Sequence, residues 1–322
     1  MKIARINTFT ERIPLTRPYA IASGAGASTD AVDMLVVRIE ADDGTVGLGS
    51  ASPAPEITGE TIAACAHALA PSQTQWLLQR DVANYAELGQ MAIARSPGAP
   101  GASAALDMAL HDLQARCLGL PLVEMLGRKH EVLPTSITIG IKSLDDTLAE
   151  ADEYLARGFR CLKVKIGQDI DADITRLVRL RERVGDRITI RVDANQGYDV
   201  VALQQLLHDC RKLDLELIEQ PLPRGGDDAL RQLPPASRQL LAADESVMTP
   251  EDAVAHGTSA TGYGTFVIKL MKCGGITSAQ AIAATAAQAN IELMWGCMDE
   301  SVIGISAALH TAFACEQTRY LD

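Results

Sequence analysis

Cys161-Leu-Lys-Val-Lys-Ile-Gly167 is the first of five short apolar segments, each with a charged residue at or near its end. The other four are Ile188-Thr-Ile-Arg-Val-Asp193, Leu215-Glu-Leu-Ile-Glu219, Leu240-Leu-Ala-Ala-Asp244 and Phe266-Val-Ile-Lys269. From Lys165 to Lys269 the charged residues follow one another at intervals of 28, 26, 25 and 25 residues. One strand and one crossover helix with two short loops need about that length. The spacing therefore predicts a repeated strand–helix unit.

The repeated unit predicts an α/β fold with a parallel sheet. A long run of such units predicts a (β/α)7β barrel of the TIM type in residues 129–322. The predicted strands are 135–140, 161–167, 188–194, 215–220, 239–245, 265–271, 291–297 and 318–321. In such a barrel, polar residues at the carboxyl ends of the strands line the active site. We therefore expect Asp193, Glu219 and Asp244 to lie between two lysines on one ring.

Residues 1–128 have a different pattern, which predicts an α+β capping domain. The segment Met34-Leu-Val-Val-Arg-Ile-Glu40 alternates in the manner of a strand, and the turn Asp42-Asp-Gly44 follows it. Residues 104–113 carry apolar side chains at helical spacing. The small residues of the segment 23–29 predict a mobile loop between the first strands.

Bulk properties exclude several classes of partner. The formal net charge of −12 and the isoelectric point near 5.0 argue against nucleic acid and anionic membranes, because both attract basic surfaces. The sequence contains neither a signal peptide nor an apolar run of transmembrane length. Its seven scattered cysteines are typical of free thiols in a reducing cytoplasm, where we place the protein. A homo-oligomer is compatible with the sequence, which does not define the oligomeric state.

The three acids on successive strands predict a metal site. Three converging carboxylates repel one another, and this raises their pKa values unless positive charge compensates them. Oxygen ligands of this kind suit Mg²⁺ or Mn²⁺. Alternatively, one or two of the acids are ordinary caps of strand ends or partners in ion pairs, although their matching positions on three strands favour the metal site.

The lysines predict proton transfer. Lys163 and Lys165 are two residues apart on a strand and so point the same way, while Lys269 lies across the barrel. A lysine that is partly desolvated near other cations can have its pKa lowered, which would make it a competent base. The alternative is that Lys163 or Lys269 is a surface residue. Lys272 has the opposite strand parity to Lys269, so we expect it to point out of the barrel.

These residues resemble the motifs of the enolase superfamily. Within the superfamily the sequence is most similar to the muconate-lactonizing subgroup, and there to the dipeptide epimerases of the L-Ala-D/L-Glu type. The resemblance covers essentially the whole chain, including residues 105–113 and 119–122. The motifs are Lys163-Val-Lys165, Val192-Asp-Ala-Asn195, Ile218-Glu-Gln-Pro221, Ala243-Asp-Glu-Ser246 and Ile268-Lys-Leu-Met-Lys-Cys-Gly-Gly275.

The resemblance implies a role for each matching residue. Asp193, Glu219 and Asp244 would bind Mg²⁺, and members of this superfamily stabilise an enediolate with such a metal. The lysine pair Lys165 and Lys269 would serve as the two acid/base groups of an epimerase, one on each face of the substrate. Lys163 would hold the substrate carboxylate, and Glu300 matches a glutamate that follows the seventh strand in many members.

Two positions depart from the pattern. Ser50 follows Gly47-Leu-Gly49 where members of this subgroup often carry a glutamate. Dipeptide epimerases have an Asp-x-Asp motif at the end of the eighth strand, which holds the ammonium group of the substrate. The chain ends at Asp322, where the first aspartate falls, and we expect the sequence to be truncated there.

The substrate is expected to be a dipeptide, with specificity set by residues 19–30 and 53–59. Acids at the predicted mouth of the barrel, Glu56 and Asp299, favour a cationic or polar side chain over an acidic one. Glu56 can equally be a solvated loop residue. Two other functions remain open: an o-succinylbenzoate synthase or N-acylamino-acid racemase of the same superfamily, and a non-catalytic barrel that acts as a binding protein.

Overall fold

The computed structural model describes residues 1–19, 29–258 and 262–322, without the side chains of residues 16–19 and 29. Residues 23–28 of the predicted mobile loop and most of the specificity segment 19–30 therefore lie outside the described residues. Within the described residues, no helix has both the length and the apolar character needed to cross a membrane.

The chain begins with a three-stranded antiparallel sheet in the order β1-β2-β3, followed by six helices. The strands are β1 (Ile3–Tyr19), β2 (Thr29–Ala41) and β3 (Val46–Ala51). The helices are α1 (Pro55–Thr58), α2 (Ile62–Ala68), α3 (Pro71–Thr74), α4 (Tyr85–Arg95), α5 (Pro100–Leu118) and α6 (Leu122–Leu126). This is the α+β architecture predicted for the first part of the chain.

Helix α5 packs directly against β3, and two glycines of β3 make this contact possible. A Cβ atom added at Gly47 would lie 2.2 Å from the carbonyl oxygen of Ala109, and one at Gly49 would lie 1.9 Å from that of Ala105. Both distances are shorter than any van der Waals contact. Any larger residue at either position would push the helix off the strand.

Residues 137–321 form eight parallel strands that alternate with helices. The strands are β4 (Ile137–Ile139), β5 (Cys161–Lys165), β6 (Thr189–Asp193), β7 (Leu215–Glu219), β8 (Leu241–Ala243), β9 (Thr265–Ile268), β10 (Glu292–Trp295) and β11 (Thr318–Leu321). The helices are α7 (Leu144–Ala156), α8 (Ile170–Val184), α9 (Val200–Asp209), α10 (Pro235–Gln239), α11 (Pro250–Thr258), α12 (Leu270–Cys273), α13 (Ile276–Ala289) and α14 (Val302–Phe313). The predicted barrel is confirmed.

The first and last strands close the barrel. Thr135 pairs in parallel with Leu321, and the amide of Ser136 donates a hydrogen bond of 3.0 Å to the Leu321 carbonyl. The buried guanidinium of Arg191 donates to the same carbonyl at 3.0 Å and lies over the ring of Tyr320, 4.7 Å from its centroid. A buried cation therefore crosses the interior to the seam, where the ends of the barrel meet.

The domain boundary expected after residue 128 stays a prediction, but one buried group links the two parts of the chain. Asp107, on α5, is inaccessible to solvent and accepts hydrogen bonds from the amide and hydroxyl of Thr277, at 3.0 and 2.6 Å. The Nδ1 atom of His111 lies 3.4 Å from the carboxylate of Asp107. Burial opposes ionisation of Asp107, but the charge of His111 and these hydrogen bonds outweigh it and lower the pKa of Asp107.

We expect Asp107→Asn to lower the free energy of unfolding by about 2–3 kcal/mol, because the substitution removes one partner of a buried charged network. The exposed Asp209→Asn, also on a helix, should change it by less than about 0.5 kcal/mol. Denaturant unfolding of both variants measures the difference. Equal stabilities for the two variants would show that Asp107 does not join α5 to α13 energetically.

Candidate active site

The carboxyl ends of the parallel strands bring the predicted charged residues together. Lys165 pairs with Asp193 across β5 and β6, and Asp193 pairs with Glu219 across β6 and β7. Asp244 and Lys269 come directly after β8 and β9. All five side chains are buried. We use the term charged ring for these residues together with Lys163.

Lys163 lies at the centre of the charged ring. Its side chain is 2 % exposed, and its Nζ atom lies 3.1 Å from Asp193, 2.8 Å from Glu219 and 2.7 Å from Asp322. The contact with Asp322 is a hydrogen bond, whereas Glu219 is in range of the ammonium without the geometry of a hydrogen bond. These carboxylates outweigh the opposing effect of burial and raise the pKa of Lys163.

Lys165 is held between a carboxylate and an amide. Its Nζ atom donates to Asp193 Oδ2 at 2.6 Å and to Asn195 Oδ1 at 2.9 Å. The backbone N–H of Asn195 in turn donates to Asp193 Oδ1 at 2.9 Å. Asn195 has a φ of +42°, so a non-glycine residue takes a left-handed backbone conformation to complete this arrangement.

Asp244 is bound by two lysines. Lys269 Nζ donates to its Oδ2 atom at 2.6 Å, and Lys272 donates to its Oδ1 atom and, at 2.6 Å, to its carbonyl oxygen. The prediction that Lys272 points out of the barrel is therefore wrong. Strand β9 ends at Ile268 and the chain continues as the short helix α12, so strand parity no longer determines the direction of the Lys272 side chain.

The sequence pattern predicted a lysine base with a lowered pKa, and for Lys269 the structure shows the opposite direction. Burial opposes its charged form, but attraction to Asp244 and then to Glu219 outweighs this effect. The pKa of Lys269 is therefore raised rather than lowered. The structure thus shows an ammonium group held by carboxylates.

The acids of the charged ring differ in their electrostatic environment. For Asp193 and Asp244, burial is outweighed by adjacent lysines, which lower both pKa values. Burial, followed by the charge of Asp193, raises the pKa of Glu219 to about 8. Within the described residues, neither oxygen of Glu219 accepts a hydrogen bond. The negative charge of Glu219 is therefore less fully compensated than the charges of Asp193 and Asp244.

The donor set fits a hard divalent cation in its chemistry. Asp193, Glu219 and Asp244 provide carboxylate oxygens, and the oxygens of Glu219, which accept no hydrogen bond from the described residues, are acceptors that a cation would satisfy. In the described part of the chain, three such ligands do not surround a common point, because lysine ammonium groups lie between the carboxylates. The space between these acids thus already accommodates positive charge.

The four predicted substrate-binding acids lie in different settings. The Asp322 carboxylate accepts from Ser136 at 2.6 Å and from Thr138 at 3.2 Å, in addition to Lys163. Asp299 is exposed like Glu56, yet partial desolvation by neighbouring atoms raises its pKa, while the charges of Lys165 and Lys269 lower it and Glu56 raises it.

Glu300 contributes to the wall of the site. Its Oε1 atom accepts from the Met298 amide at 3.1 Å, while its Oε2 atom is buried without a partner. Burial raises the pKa of Glu300 to about 7. A Cβ atom at Gly304 would lie 2.3 Å from Oε2, so the glycine leaves room for this carboxylate.

Sequence reasoning missed three groups that complete the site. Strand parity predicted the wrong direction for the Lys272 side chain. Glu245 follows Asp244 in Ala243-Asp-Glu-Ser246, but the pattern assigned no role to it. Gln220 accepts hydrogen bonds from the amides of Asp244 and Ser246, at 2.8 and 3.1 Å, and so fixes the turn after β8. The sequence signal for Gln220 is its position directly after Glu219 in Ile218-Glu-Gln-Pro221.

Comparison with known families places the chain in the enolase superfamily. Residues 3–127 match the family Mandelate racemase / muconate lactonizing enzyme, N-terminal domain, and residues 146–322 match the family Enolase C-terminal domain-like. The two matches cover most of the chain. The chain belongs to the mandelate racemase and muconate lactonizing enzyme group of the enolase superfamily.

Similar proteins within this group are dipeptide epimerases. The chain is 54% identical to an L-Lys-D/L-Arg epimerase of Methylococcus capsulatus, over 100% of this chain and 90% of that protein. It is 38% identical to an L-Ala-D/L-Glu epimerase of Bacillus subtilis, over 97% of this chain and 85% of that protein. A crystal structure of a dipeptide epimerase from Methylococcus capsulatus, complexed with Mg and L-Arg-D-Lys, superposes with a TM-score of 0.97 at 54% identity, over 100% of this chain and 90% of that chain.

We expect Lys272→Met to lower the free energy of unfolding by about 3 kcal/mol or more. The buried ammonium also donates to the carbonyls of Val247 and Val267, and its removal takes this donor from both carbonyls and from the Oδ1 atom of Asp244. The exposed Lys212→Met should change stability by less than about 0.5 kcal/mol. Chemical denaturation measures both variants, and wild-type stability in Lys272→Met would contradict a structural role for the buried ammonium.

Proposed function

We propose that this protein is a Mg²⁺-dependent dipeptide epimerase that inverts one α-carbon by proton transfer between two lysines. The observation that carries the proposal is the placement of Lys165 and Lys269. Strands β5 and β9 are four positions apart in a barrel of eight strands, so the two lysines reach the mouth from opposite sides. Two bases on opposite sides of one substrate fit inversion, whereas an elimination needs only one.

In this proposal, Asp193, Glu219 and Asp244 hold the cation. When bound, Mg²⁺ would supply positive charge that stabilises the developing carboxylate charge of the substrate and offsets the effect of the acids on the lysine pKa values. Lys163 lies among the same acids and is placed to pair with the substrate carboxylate. Buried walls exclude water from the charge that develops.

The proton transfer itself is assigned to the lysines. One lysine, in its neutral form, takes the α-proton from one face of the substrate. The opposite lysine, as an ammonium, returns a proton to the other face, and the configuration is inverted. The carboxylates of Asp193 and Asp244 hold the two ammonium groups in position.

We infer that the preferred dipeptides carry cationic side chains. The support comes from Asp299, which lies near the two lysines and near Glu56, and from the relative of Methylococcus capsulatus, whose name describes Lys and Arg. Asp322 would hold the ammonium terminus of the dipeptide. An acidic side chain beside Asp299 would meet a like charge, which discriminates against it.

We expect Lys165→Ala and Lys269→Ala each to lower kcat for epimerisation by about 10²–10⁴-fold, because each removes one proton-transfer group. The assay follows L-Lys-L-Arg in deuterated water by mass spectrometry and polarimetry. Because the bases serve opposite faces, each variant should retain proton exchange for at most one epimer, and the two variants should retain different ones.

The exposed Lys212→Ala serves as the matched control and should keep the wild-type rate. An excess of EDTA should stop the wild-type reaction, and added Mg²⁺ should restore it. Wild-type epimerisation by either active-site variant would refute the two-base assignment. Exchange without inversion in the wild type would instead favour a different reaction of the superfamily.

We expect Asp299→Asn to lower the preference for L-Ala-L-Lys over L-Ala-L-Glu by about tenfold in kcat/KM, because the substitution removes a charge that faces the side chain. Glu56→Gln tests the second acid in the same assay, and exposed Glu251→Gln is the control. A wild-type preference for L-Ala-L-Glu, or an unchanged ratio in Asp299→Asn, would contradict the inference.

A further inference from the structure

Glu245 is a buried acid that accepts no hydrogen bond from any residue that the structure describes. Its side chain is 3 % exposed, and neither carboxylate oxygen has a hydrogen-bond partner. Glu60 shows the contrasting case of a buried structural glutamate: it is 1 % exposed and accepts from the amides of Gly101 and Ala102, at 2.6 and 3.1 Å. Glu245 therefore does not act as a cap for the backbone.

The backbone around Glu245 is held rigidly. The chain turns after β8, with the Val247 amide donating to the Asp244 carbonyl at 3.1 Å. Gln220 accepts from the amides of both neighbours of Glu245, Asp244 and Ser246. Glu245 therefore follows Asp244 directly in a turn whose backbone is fixed on both sides.

The surroundings of Glu245 are those of the charged ring. It lies within electrostatic range of Asp193, Asp244, Lys269 and Lys272. Both lysines already donate to Asp244, at Oδ2 and Oδ1. Glu245 is thus an acid beside two other acids, with the nearby ammonium groups engaged elsewhere.

A buried carboxylate without a hydrogen-bond partner destabilises the folded state. Uncompensated groups of this kind concentrate at functional sites, where a ligand supplies the missing partner. A divalent cation bound by the adjacent acids brings positive charge, and Mg²⁺ in particular usually keeps water molecules that donate hydrogen bonds. Both would satisfy the oxygens of Glu245.

We propose that Glu245 is a fourth carboxylate of the cation site, beside Asp193, Glu219 and Asp244. Its partner is the bound divalent cation with its water. The inference rests on the cation site of the proposed function and adds a residue to it. It also explains why the sequence places two acids side by side after β8. One of them, Asp244, is tied to lysines, while Glu245 has both oxygens available.

The test compares Glu245→Gln with wild type by calorimetric titration with MgCl₂ and by thermal unfolding in EDTA. Glu245→Gln should weaken the Mg²⁺ affinity about 10–100-fold, which is the usual effect of losing a supporting ligand. Its melting temperature in EDTA should equal or exceed that of wild type. The substitution keeps the shape of the side chain but removes a buried charge that has no hydrogen-bond partner. A merely structural glutamate would behave in the opposite way.

Glu60→Gln is the matched control, since it neutralises an equally buried glutamate elsewhere. It should melt at a lower temperature in EDTA and keep the wild-type Mg²⁺ affinity. Glu219→Gln should lose affinity and so verifies the cation site itself. If Glu245→Gln keeps the wild-type Mg²⁺ affinity while Glu219→Gln loses it, the role of Glu245 is refuted and the proposed function stands. Absence of Mg²⁺ binding by the wild type would overturn the proposed function as well.

Discussion

Mutual compensation of buried charges is the constraint on which this structure depends. Four acids and four lysines meet at the mouth of the barrel, and nearly all are excluded from water: Asp193, Glu219, Asp244, Glu245, Lys163, Lys165, Lys269 and Lys272. Each charge alone would be too costly to bury. The strands must therefore end in register, so that each ammonium group meets a carboxylate within about 3 Å.

Closure of the barrel follows from the same constraint. Lys163 completes its set of carboxylates with Asp322, which comes from the last strand, while Lys163 itself comes from the second strand of the barrel. From β6, beside β5, Arg191 also reaches the carbonyl of Leu321 at the seam. Long-range ion pairs and hydrogen bonds thus fix the position of the chain end relative to the early strands.

The sequence predicted those features that depend on a regular period. The interval of about 25 residues located the barrel strands, and the charged residue at each strand end located the ring. It failed where the backbone leaves the regular pattern. The direction of Lys272 depends on the short helix α12, and the burial of Glu245 accompanies a turn held by Gln220, neither of which follows from the strand period. Pairing of a lysine with a specific acid likewise depends on three-dimensional distance, so the raised pKa of Lys269 could not be predicted from composition.

The hydroxyl of Ser52 donates to the carbonyl oxygen of Asp299 at 2.7 Å, and Ser50 and Ser301 share a hydrogen bond of the same length. The β3 end of the antiparallel sheet therefore sets the height of the segment that carries Asp299 above the barrel. In the proposed function, substrate selection by Asp299 and proton transfer by the lysines would therefore rest on separate parts of the fold. A change in the sheet can retune which side chain is accepted while the lysines and acids below keep their spacing. Such a division allows one catalytic framework to acquire new substrates through substitutions that never touch it.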